Sequence, residues 1–311
     1  MRRRLLRGLL LAGIVCATAP IAATPQEPQP QVFKAQSDLV VLHVNVFDGK
    51  SDAVPDLPQT AFRVVENDTP QAITFFSGAD VPVAVGLILD NSGSMIARHS
   101  MVMAGGLAFA ASSHPEDELF TIHFNEHVRY GLPDAFPFTN RDTLLRAALA
   151  RYPAGGKTAI YDAVIAGLEH VERANHQKHV LVVLSDGDDN ASLHSDDEMF
   201  DRARRSDAII YTVSNADRQI GMRGAPGVLK KLAEISGGVA YFPRLDKDVV
   251  ASFDEIAANI RRGYSIGYAP TNTAHDGGYR RVKVTVRVPG RGNLSVRSRD
   301  GYTADSLFGS R

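Results

Sequence analysis

The chain has no tryptophan and a single cysteine, Cys16, among its 311 residues. One thiol cannot close a disulfide bond within the chain, so a disulfide-stabilised scaffold is excluded. Neither sign of charge dominates, because 34 Lys and Arg residues are balanced by 35 Asp and Glu residues. A near-neutral chain gives no electrostatic reason to expect nucleic acid as the partner. No apolar run reaches the roughly 20 residues that a membrane-spanning helix needs.

What is present is the composition of a folded protein, 44% hydrophobic and 22% charged. Hydrophobicity at this level combined with low net charge excludes disorder as the main state. The length allows roughly two domains of about 100–200 residues each, with enough apolar material for a sizeable core.

The first 23 residues have the pattern of a secretory signal peptide. Four arginines precede a short apolar stretch, and small residues end the segment at Ala22 and Ala23. This pattern predicts an exported protein, periplasmic or secreted, cleaved after Ala23, with a membrane anchor as the alternative interpretation. Cleavage would remove four arginines, which changes the net charge from −1 to −5. It would also remove Cys16, which excludes thiolate nucleophiles and thiolate zinc sites.

The rest of the chain divides by its hydrophobic patterns into segments of different type. Between 81 and 262, continuous apolar strands alternate with amphipathic helices, which predicts an α/β fold with a doubly wound, mainly parallel sheet. Both flanks have strand patterns, and we expect them to complete each other as a β-rich platform into which the α/β domain is inserted. The predicted segments are a linker (24–32), an N-terminal β segment (33–80), the α/β domain (81–262), a C-terminal β segment (263–304) and a tail (305–311).

Three loops carry side chains with oxygen atoms; the first and third follow predicted strands, and the second precedes a predicted helix. Asp90, Ser92 and Ser94 alternate on a glycine-containing turn, Thr158 begins a helix, and Asp186 follows the most apolar strand. Loops at the carboxyl ends of parallel strands can converge on one point. Oxygen donors spaced as in Asp90, Ser92 and Ser94 suit a hard divalent cation, so the first loop predicts a metal site.

Taken together, Asp90-x-Ser92-x-Ser94, Thr158 and Ser185-Asp186-Gly187 resemble the metal-ion-dependent adhesion site of von Willebrand factor A domains. The order of elements over 81–262 is similar to that fold. The resemblance implies that Ser92, Ser94 and Thr158 are ligands and that Asp90 and Asp186 complete the shell, often through water. It also implies that an open position receives a carboxylate from a partner protein. The implied ion is Mg²⁺, with Ca²⁺ or Mn²⁺ as alternatives.

The flanks resemble a narrower group, the VWFA-related acidobacterial domain proteins. The resemblance is carried by segments such as Phe62-Arg63-Val64-Val65-Glu66-Asn67, Tyr264-Ser265-Ile266-Gly267-Tyr268 and Arg297-Ser298-Arg299-Asp300-Gly301-Tyr302. It covers nearly the whole mature chain and adds little about function, because that group is itself defined mainly by its sequence pattern.

Two other loop motifs fit these residues less well. A phosphate-binding P-loop ending at Gly156-Lys157-Thr158 would need a glycine where Arg151 stands. A calcium loop beginning at Asp186 would need a glycine where Ala191 stands, and a helix rather than a strand before it. Asp188 and Asp189 are interpreted instead as charges around the mouth of the metal site.

The same residues do not fit two common classes of enzyme. A phosphatase of the haloacid dehalogenase type needs an acid two residues after Asp90, where Ser92 stands. A serine hydrolase needs glycines flanking its nucleophile, and neither Ser92 nor Ser94 has them. The histidines are interpreted as surface residues or as residues bonded within the fold, among them His123, His127, His170, His176, His179 and His194.

The sequence therefore predicts an exported, metal-dependent, adhesion-type protein-binding module and not an enzyme. Its partner would be a protein that presents Asp or Glu to the metal, with no nucleic acid involved and no transmembrane span in the mature chain. One alternative is a structural envelope protein in which the metal only stabilises the loops. A metal-assisted hydrolase is the other.

Overall fold

The computed structural model describes residues 39–49, 53–78, 80–214, 225–243 and 245–304. The predicted signal peptide (1–23), the linker (24–32) and the tail (305–311) lie outside the described residues. The first six residues of the N-terminal β segment (33–38) also lie outside them.

Strands at both ends of the described chain enclose an alternation of strands and helices. The helices are α1 (His99–Ala111), α2 (Asp142–Leu149), α3 (Ile160–Val171), α4 (Asp196–Arg205), α5 (Pro226–Ser236) and α6 (Asp246–Arg262). The strands are β1 (Val40–Phe47), β2 (Phe62–Glu66), β3 (Thr69–Gln71), β4 (Ile73–Ser77), β5 (Ala84–Asp90), β6 (Glu118–Phe124), β7 (Val128–Tyr130), β8 (His179–Ser185), β9 (Ile209–Ser214), β10 (Ala240–Tyr241), β11 (Tyr264–Tyr268), β12 (Tyr279–Val286), β13 (Ser295–Arg297) and β14 (Gly301–Thr303).

The central sheet has the strand order β10-β9-β8-β5-β6-β7. Every neighbouring pair in it is parallel except β6 with β7, which is antiparallel. All seven residues of β5 and all seven of β8 are buried. Continuous apolar runs of this kind are expected where helices cover both faces of a parallel sheet. The predicted fold class, α/β with a mainly parallel sheet, is confirmed.

Helices cover both faces of the central sheet. Helices α3, α4 and α5 contribute to one core, with residues such as Val164, Phe200 and Leu232 packed together. Helices α1 and α6 contribute to the other, where Phe109 and Phe253 make an edge-to-face contact. Since the two faces are sealed by apolar packing, the polar ends of the strands are left as the place for a site.

The N- and C-terminal strands form two four-stranded antiparallel sheets rather than one. Their orders are β13-β1-β11-β4 and β14-β12-β2-β3, so each sheet combines strands from both ends of the chain. Along β12, Val282 and Val284 are buried whereas Arg281 and Lys283 are exposed, as the alternating pattern predicts. Long-range pairing between the flanks explains how strands too few to be stable alone become ordered.

No helix in the described part of the chain is both long enough and apolar enough to cross a membrane.

Candidate metal centre

The first and third loops of the candidate site leave neighbouring strands at the same level. Strands β5 and β8 are adjacent and parallel, and Leu89 pairs with Leu184, so both strands end one residue later, at Asp90 and Ser185. The Ser185 hydroxyl donates a hydrogen bond of 2.6 Å to Asp90 Oδ2. Asp186, the predicted ligand of the third loop, follows directly and is half-buried. Parallel register therefore brings the Asp90 and Asp186 loops side by side.

The first loop is folded around the Asp90 carboxylate. Asp90 Oδ1 accepts the backbone N–H of Ser92 at 2.8 Å, and the hydroxyls of Ser92 and Ser94 lie 3.0 Å apart. Asp90 and Ser92 are each 1% exposed, whereas Ser94 is exposed. The residues that follow form a 3₁₀ helix, Gly93–Arg98, before α1 begins at His99.

The second loop is joined to the first by two backbone hydrogen bonds. The N–H of Gly93 donates to the Gly156 carbonyl at 3.0 Å, and the N–H of Gly155 donates to the Asn91 carbonyl at 2.6 Å. Gly156 has φ +90°, and a Cβ at this position would overlap the Glu126 carboxylate. Glycine is needed here because it adopts positive φ readily and leaves that space free.

The second loop is also bonded to the third. Asn190 Oδ1 accepts the backbone N–H of Thr158 at 2.9 Å. In return, the Thr158 carbonyl accepts the N–H groups of Asn190 and Ala191, each at 3.0 Å. Thr158 is only 4% exposed. Each of the three loops is thus hydrogen-bonded to the other two, which fixes the backbone around all five predicted ligands.

Burial raises the pKa of Asp90 to about 6. Hydrogen bonds from Ser185 and Ser92 oppose this effect, and the nearby charge of Asp186 adds to it by repulsion. The charged group that influences Asp90 most is therefore a second carboxylate. A cation between these two groups would reverse the electrostatic penalty.

The donor set fits a hard cation that is bound through oxygen. In the described part of the chain, no cluster of three or more His, Cys, Asp or Glu side chains has a metal-binding arrangement. A site here would have to combine the two carboxylates with the hydroxyls of Ser92, Ser94 and Thr158. Oxygen-only ligands are typical of Mg²⁺, Ca²⁺ and Mn²⁺ sites.

Asp189 was interpreted as a charge at the mouth of the metal site, but in the structure its carboxylate is hydrogen-bonded to neighbouring residues. Its carboxylate accepts hydrogen bonds from the Ser192 hydroxyl at 2.6 Å, the Ser192 N–H at 3.2 Å and the Tyr161 N–H at 3.4 Å. These contacts place it at the beginning of α3, where a carboxylate satisfies otherwise unpaired backbone donors. Asp189 therefore has a structural role in holding the third loop against α3.

Several polar residues that support the site were not predicted. Asn91 donates to the Tyr152 carbonyl at 2.7 Å and contacts His123 Nδ1 at 3.1 Å, while His123 Nε2 contacts the Ala148 carbonyl at 3.0 Å. Asn125 donates to the Gly155 carbonyl at 3.0 Å. Asn91 and Asn125 directly follow the ends of β5 and β6, so their position in the sequence was the available signal.

Two of the buried histidines differ in how completely their ring nitrogens are hydrogen-bonded within the fold. His123 is buried with both ring nitrogens in hydrogen-bond contact, as expected of a histidine bonded within the fold. His179 is also buried and its Nδ1 lies 2.8 Å from Asp207 Oδ1, but its Nε2 has no partner within the described part of the chain.

Searches against known proteins found no matching family model and no matching curated protein. Membership of the acidobacterial group therefore stays a prediction. Solved structures do match. A von Willebrand factor type A protein from Catenulispora acidiphila is 15% identical with a TM-score of 0.50, and the match covers 88% of this chain and 76% of that chain.

Two further matches are weaker. The vWF domain of the type V pili tip protein Mfa5 from Porphyromonas gingivalis is 13% identical, with a TM-score of 0.48 and coverage of 58% of this chain and 96% of that chain. Proximal thread matrix protein 1 from the mussel byssus, with a zinc-occupied MIDAS motif, is 13% identical, with a TM-score of 0.49 and coverage of 63% and 49%. Such low identities show the fold alone. The fold of this chain is that of von Willebrand factor A domains.

Proposed function

We propose that this protein is an exported binding module that captures an acidic side chain of a partner protein through a divalent cation. Ser92, Ser94 and Thr158 would hold the cation, and Asp90 and Asp186 would complete its shell. Mg²⁺ is the expected ion, with Ca²⁺ or Mn²⁺ as alternatives. When bound, the cation supplies the positive charge that a partner's carboxylate needs in order to bind at this position.

The observation that carries the proposal is the state of Asp90. This carboxylate is 1% exposed, its hydrogen bonds come from a hydroxyl and a backbone N–H, and its main charged neighbour is Asp186. A buried carboxylate beside a second one is electrostatically unfavourable unless a cation joins them. Two carboxylates carry a charge of about −2, which balances a divalent ion and leaves it able to accept a further carboxylate.

The three interlocked loops support the proposal because binding favours groups that are already in place. A backbone hydrogen bond links Gly93 to Gly156, and reciprocal hydrogen bonds link Thr158 to Asn190. A site fixed in this way loses little conformational entropy when it takes up its ligand.

The same geometry favours binding over hydrolysis. The Ser94 hydroxyl lies 3.0 Å from the Ser92 hydroxyl, and Ser185 donates to Asp90. His123 contacts the first loop, and its two ring nitrogens are in hydrogen-bond contact with Asn91 and the Ala148 carbonyl. A serine nucleophile needs a general base within hydrogen-bond reach, and His123 has no ring nitrogen left for that role.

Calorimetric titration of the mature protein with MgCl₂ and MnCl₂ tests the metal site. We expect saturable binding with one ion per chain, and at least about 100-fold weaker binding in Asp90→Ala, because one of the two charged ligands is lost. Asp254→Asn, which removes one exposed carboxylate on α6, is the matched control and should bind as the wild type does. Equal metal affinity in Asp90→Ala and wild type would contradict the proposal.

A second measurement separates binding from a purely structural metal. Fluorescence anisotropy of a labelled peptide with one Asp should rise on addition of the protein in Mg²⁺ and return to baseline in EDTA. The structural alternative predicts instead that EDTA lowers the melting temperature while no acidic peptide binds in either condition.

Export is part of the proposal and has its own test. We expect the protein expressed in a bacterial host to be found outside the cytoplasm with Thr24 as its first residue. Mass spectrometry of the N-terminal peptide would check this, and recovery of the intact N-terminus from the cytoplasm would contradict it.

A further inference from the structure

A group of three side chains borders the candidate metal centre beside β6 and β7. Two guanidinium groups contact the ring of Tyr152, with Arg129 Cζ 5.6 Å and Arg151 Cζ 5.7 Å from its centroid. The ring of His123 meets Tyr152 edge-on at 5.3 Å. Arg129, Arg151 and Tyr152 are called the Tyr152 patch below. Stacking on an aromatic ring orients a guanidinium group and keeps its N–H groups available at the edge of the plane.

The Tyr152 patch is directly connected to the loops of the metal centre. The Tyr152 carbonyl accepts a hydrogen bond of 2.7 Å from Asn91, the residue between Asp90 and Ser92. Asn125 makes the second connection, because its Oδ1 accepts from Arg129 at 3.2 Å and its Nδ2 donates to the Gly155 carbonyl at 3.0 Å. The patch is therefore hydrogen-bonded directly to the first loop, and through Asn125 to the second.

Neither guanidinium group of the patch forms a salt bridge with a carboxylate within the described residues. Arg129 donates to Asn125 Oδ1, and Arg151 donates to the Gly131 carbonyl at 3.0 Å. Both acceptors are neutral, and a guanidinium group has five N–H donors, so donors remain for a ligand. The nearby Glu126 accepts the Lys157 N–H at 2.9 Å, and backbone hydrogen bonds, with a smaller contribution from the charge of Arg129, lower its pKa. Arg129 and Glu126 therefore interact without a direct hydrogen bond, unlike Arg202 and Glu169, which form an ion pair of 2.5 Å.

We propose that the Tyr152 patch binds a second carboxylate of the same partner segment whose first carboxylate binds at the metal. This inference rests on the proposed function. It narrows the partner from a protein with one acidic side chain to a protein with a diacidic segment. Arginine suits this role because its planar N–H groups match both oxygens of a carboxylate. Arg129 and Arg151 are then the residues that determine specificity.

The spacing follows from the geometry of an extended peptide. Such a chain rises about 3.3 Å per residue, so two to four residues cover roughly 7–13 Å. The two sites are connected by hydrogen bonds of Asn91 and Asn125, so we expect a short spacing of this order between the two carboxylates. Once the first carboxylate is bound, the second binds as an intramolecular event, which raises the overall affinity. We therefore expect acidic residues two to four positions apart to bind best.

The test uses fluorescein-labelled peptides and the mature protein in MgCl₂. One peptide has a single Asp in a neutral sequence, and the others add a Glu two, three or four positions away. At low ionic strength we expect the best diacidic peptide to bind about tenfold more tightly than the single-Asp peptide. Arg129→Gln and Arg151→Gln should each reduce that advantage about threefold without changing single-Asp binding. Arg281→Gln, which removes an exposed guanidinium from β12, is the matched control and should keep the full advantage.

The outcomes separate this inference from the proposed function. Equal, Mg²⁺-dependent affinity for the single-Asp and diacidic peptides would overturn the role of the patch and leave the metal-bridged binding intact. Peptide binding that persists in EDTA, or no Mg²⁺-dependent binding of any peptide, would contradict the proposed function itself. An oligouronate that binds more tightly than every diacidic peptide, with the same dependence on Arg129, would assign the patch to an acidic polysaccharide and overturn the peptide proposal.

Discussion

Two buried carboxylates, Asp90 in the central sheet and Glu66 in the platform, are satisfied in different ways. Glu66 ends β2, is 2% exposed, and its Oε2 accepts hydroxyl hydrogen bonds from Tyr268 at 2.8 Å and Tyr302 at 2.9 Å. Tyr268 belongs to one platform sheet, whereas Glu66 and Tyr302 belong to the other. The Glu66 carboxylate therefore links the two sheets through the core between them.

Asp90 has comparable burial but a different environment. Its hydrogen bonds come from Ser185 and Ser92, and its main charged neighbour is Asp186. Around Glu66 the protein supplies phenol donors that satisfy the carboxylate, and their burial raises the pKa of both tyrosines. Around Asp90 it supplies one hydroxyl donor and one backbone N–H, together with a second carboxylate. The difference indicates that Glu66 stabilises the fold, whereas the proposed function predicts that a cation stabilises Asp90 further.

Removing the platform carboxylate should have the largest effect on the folded state. Glu66→Ala leaves two buried tyrosine hydroxyls without their acceptor, so we expect the free energy of unfolding to fall by about 3 kcal/mol. Glu66→Gln keeps one acceptor oxygen and should lose about half as much. Urea unfolding measures both, and the control is Glu234→Ala, which replaces an exposed side chain of α5. A loss below about 1 kcal/mol in Glu66→Ala would show that the tyrosines find other partners.

Metal should stabilise the wild type and reveal the difference between the two carboxylates. At an Mg²⁺ concentration 100 times the Kd, linkage predicts a gain of about 2.7 kcal/mol in the free energy of unfolding. Glu66→Gln should retain this gain, because it lies in the platform. Asp90→Asn should lose it. Urea unfolding with and without Mg²⁺ provides the measurement, and an equal gain in both variants would remove the distinction between the two sites.

Replacing a glycine beside the candidate metal centre should cost more stability than replacing a glycine in the platform. Gly156 (φ +90°) is packed against Glu126, whereas Gly290 (φ +76°) in the platform has open space where a Cβ would lie. Gly156→Ala combines strain with overlap and should cost about 2 kcal/mol, whereas Gly290→Ala should cost about 1 kcal/mol from strain alone. Thermal unfolding checks both. Adding Glu126→Ala should recover part of the loss in Gly156→Ala and none of the loss in Gly290→Ala.

The smallest expected effect concerns pH and the platform residue His43. Its burial, with Lys178 nearby, lowers the pKa of His43 to about 3, from an ordinary value of 6.5. Between about pH 3 and pH 6.5, His43 is protonated in the unfolded chain but neutral in the folded protein. The free energy of unfolding therefore decreases as the pH falls below about 6.5. From pH 6.5 to 5.5 the loss should be about 1 kcal/mol. His43→Gln, measured by urea unfolding at both pH values, should lack this part of the slope, and an unchanged slope would contradict the assignment.

Much of the fold could be predicted because local signals agreed with the tertiary structure. The alternation of strands and helices between 81 and 262 was predicted from hydrophobic patterns, and in α4 a capping box of Ser195 and Glu198 fixes the beginning of the helix. Strand β7 was not predicted, because three residues give too short a pattern and its pairing with β6 is a tertiary contact. The two platform sheets were expected as a single small one, because strand pairing between residues about 200 positions apart leaves no local signal.

Part of the candidate site could also be predicted. Asp90, Ser92 and Ser94 were identified from their spacing after an apolar strand, whereas the association of Thr158 and Asp186 with them relied on resemblance to a family. The roles of Ser185 and Asn190 became visible only in the structure, where they connect the loops. For Asp189 the sequence indicated a charge at the mouth of the site. In the structure its carboxylate instead accepts hydrogen bonds from the Ser192 hydroxyl and from the Tyr161 N–H at the N-terminal end of α3.

The sequence by itself determined the alternation of strands and helices and the polar residues at the strand ends, because side-chain periodicity and loop composition are local properties. Only the tertiary structure decided which loops share hydrogen bonds, how the flanks pair, and that Arg129 and Arg151 both contact the ring of Tyr152. These features depend on parallel register and on contacts between residues far apart in the chain, and no local pattern encodes them.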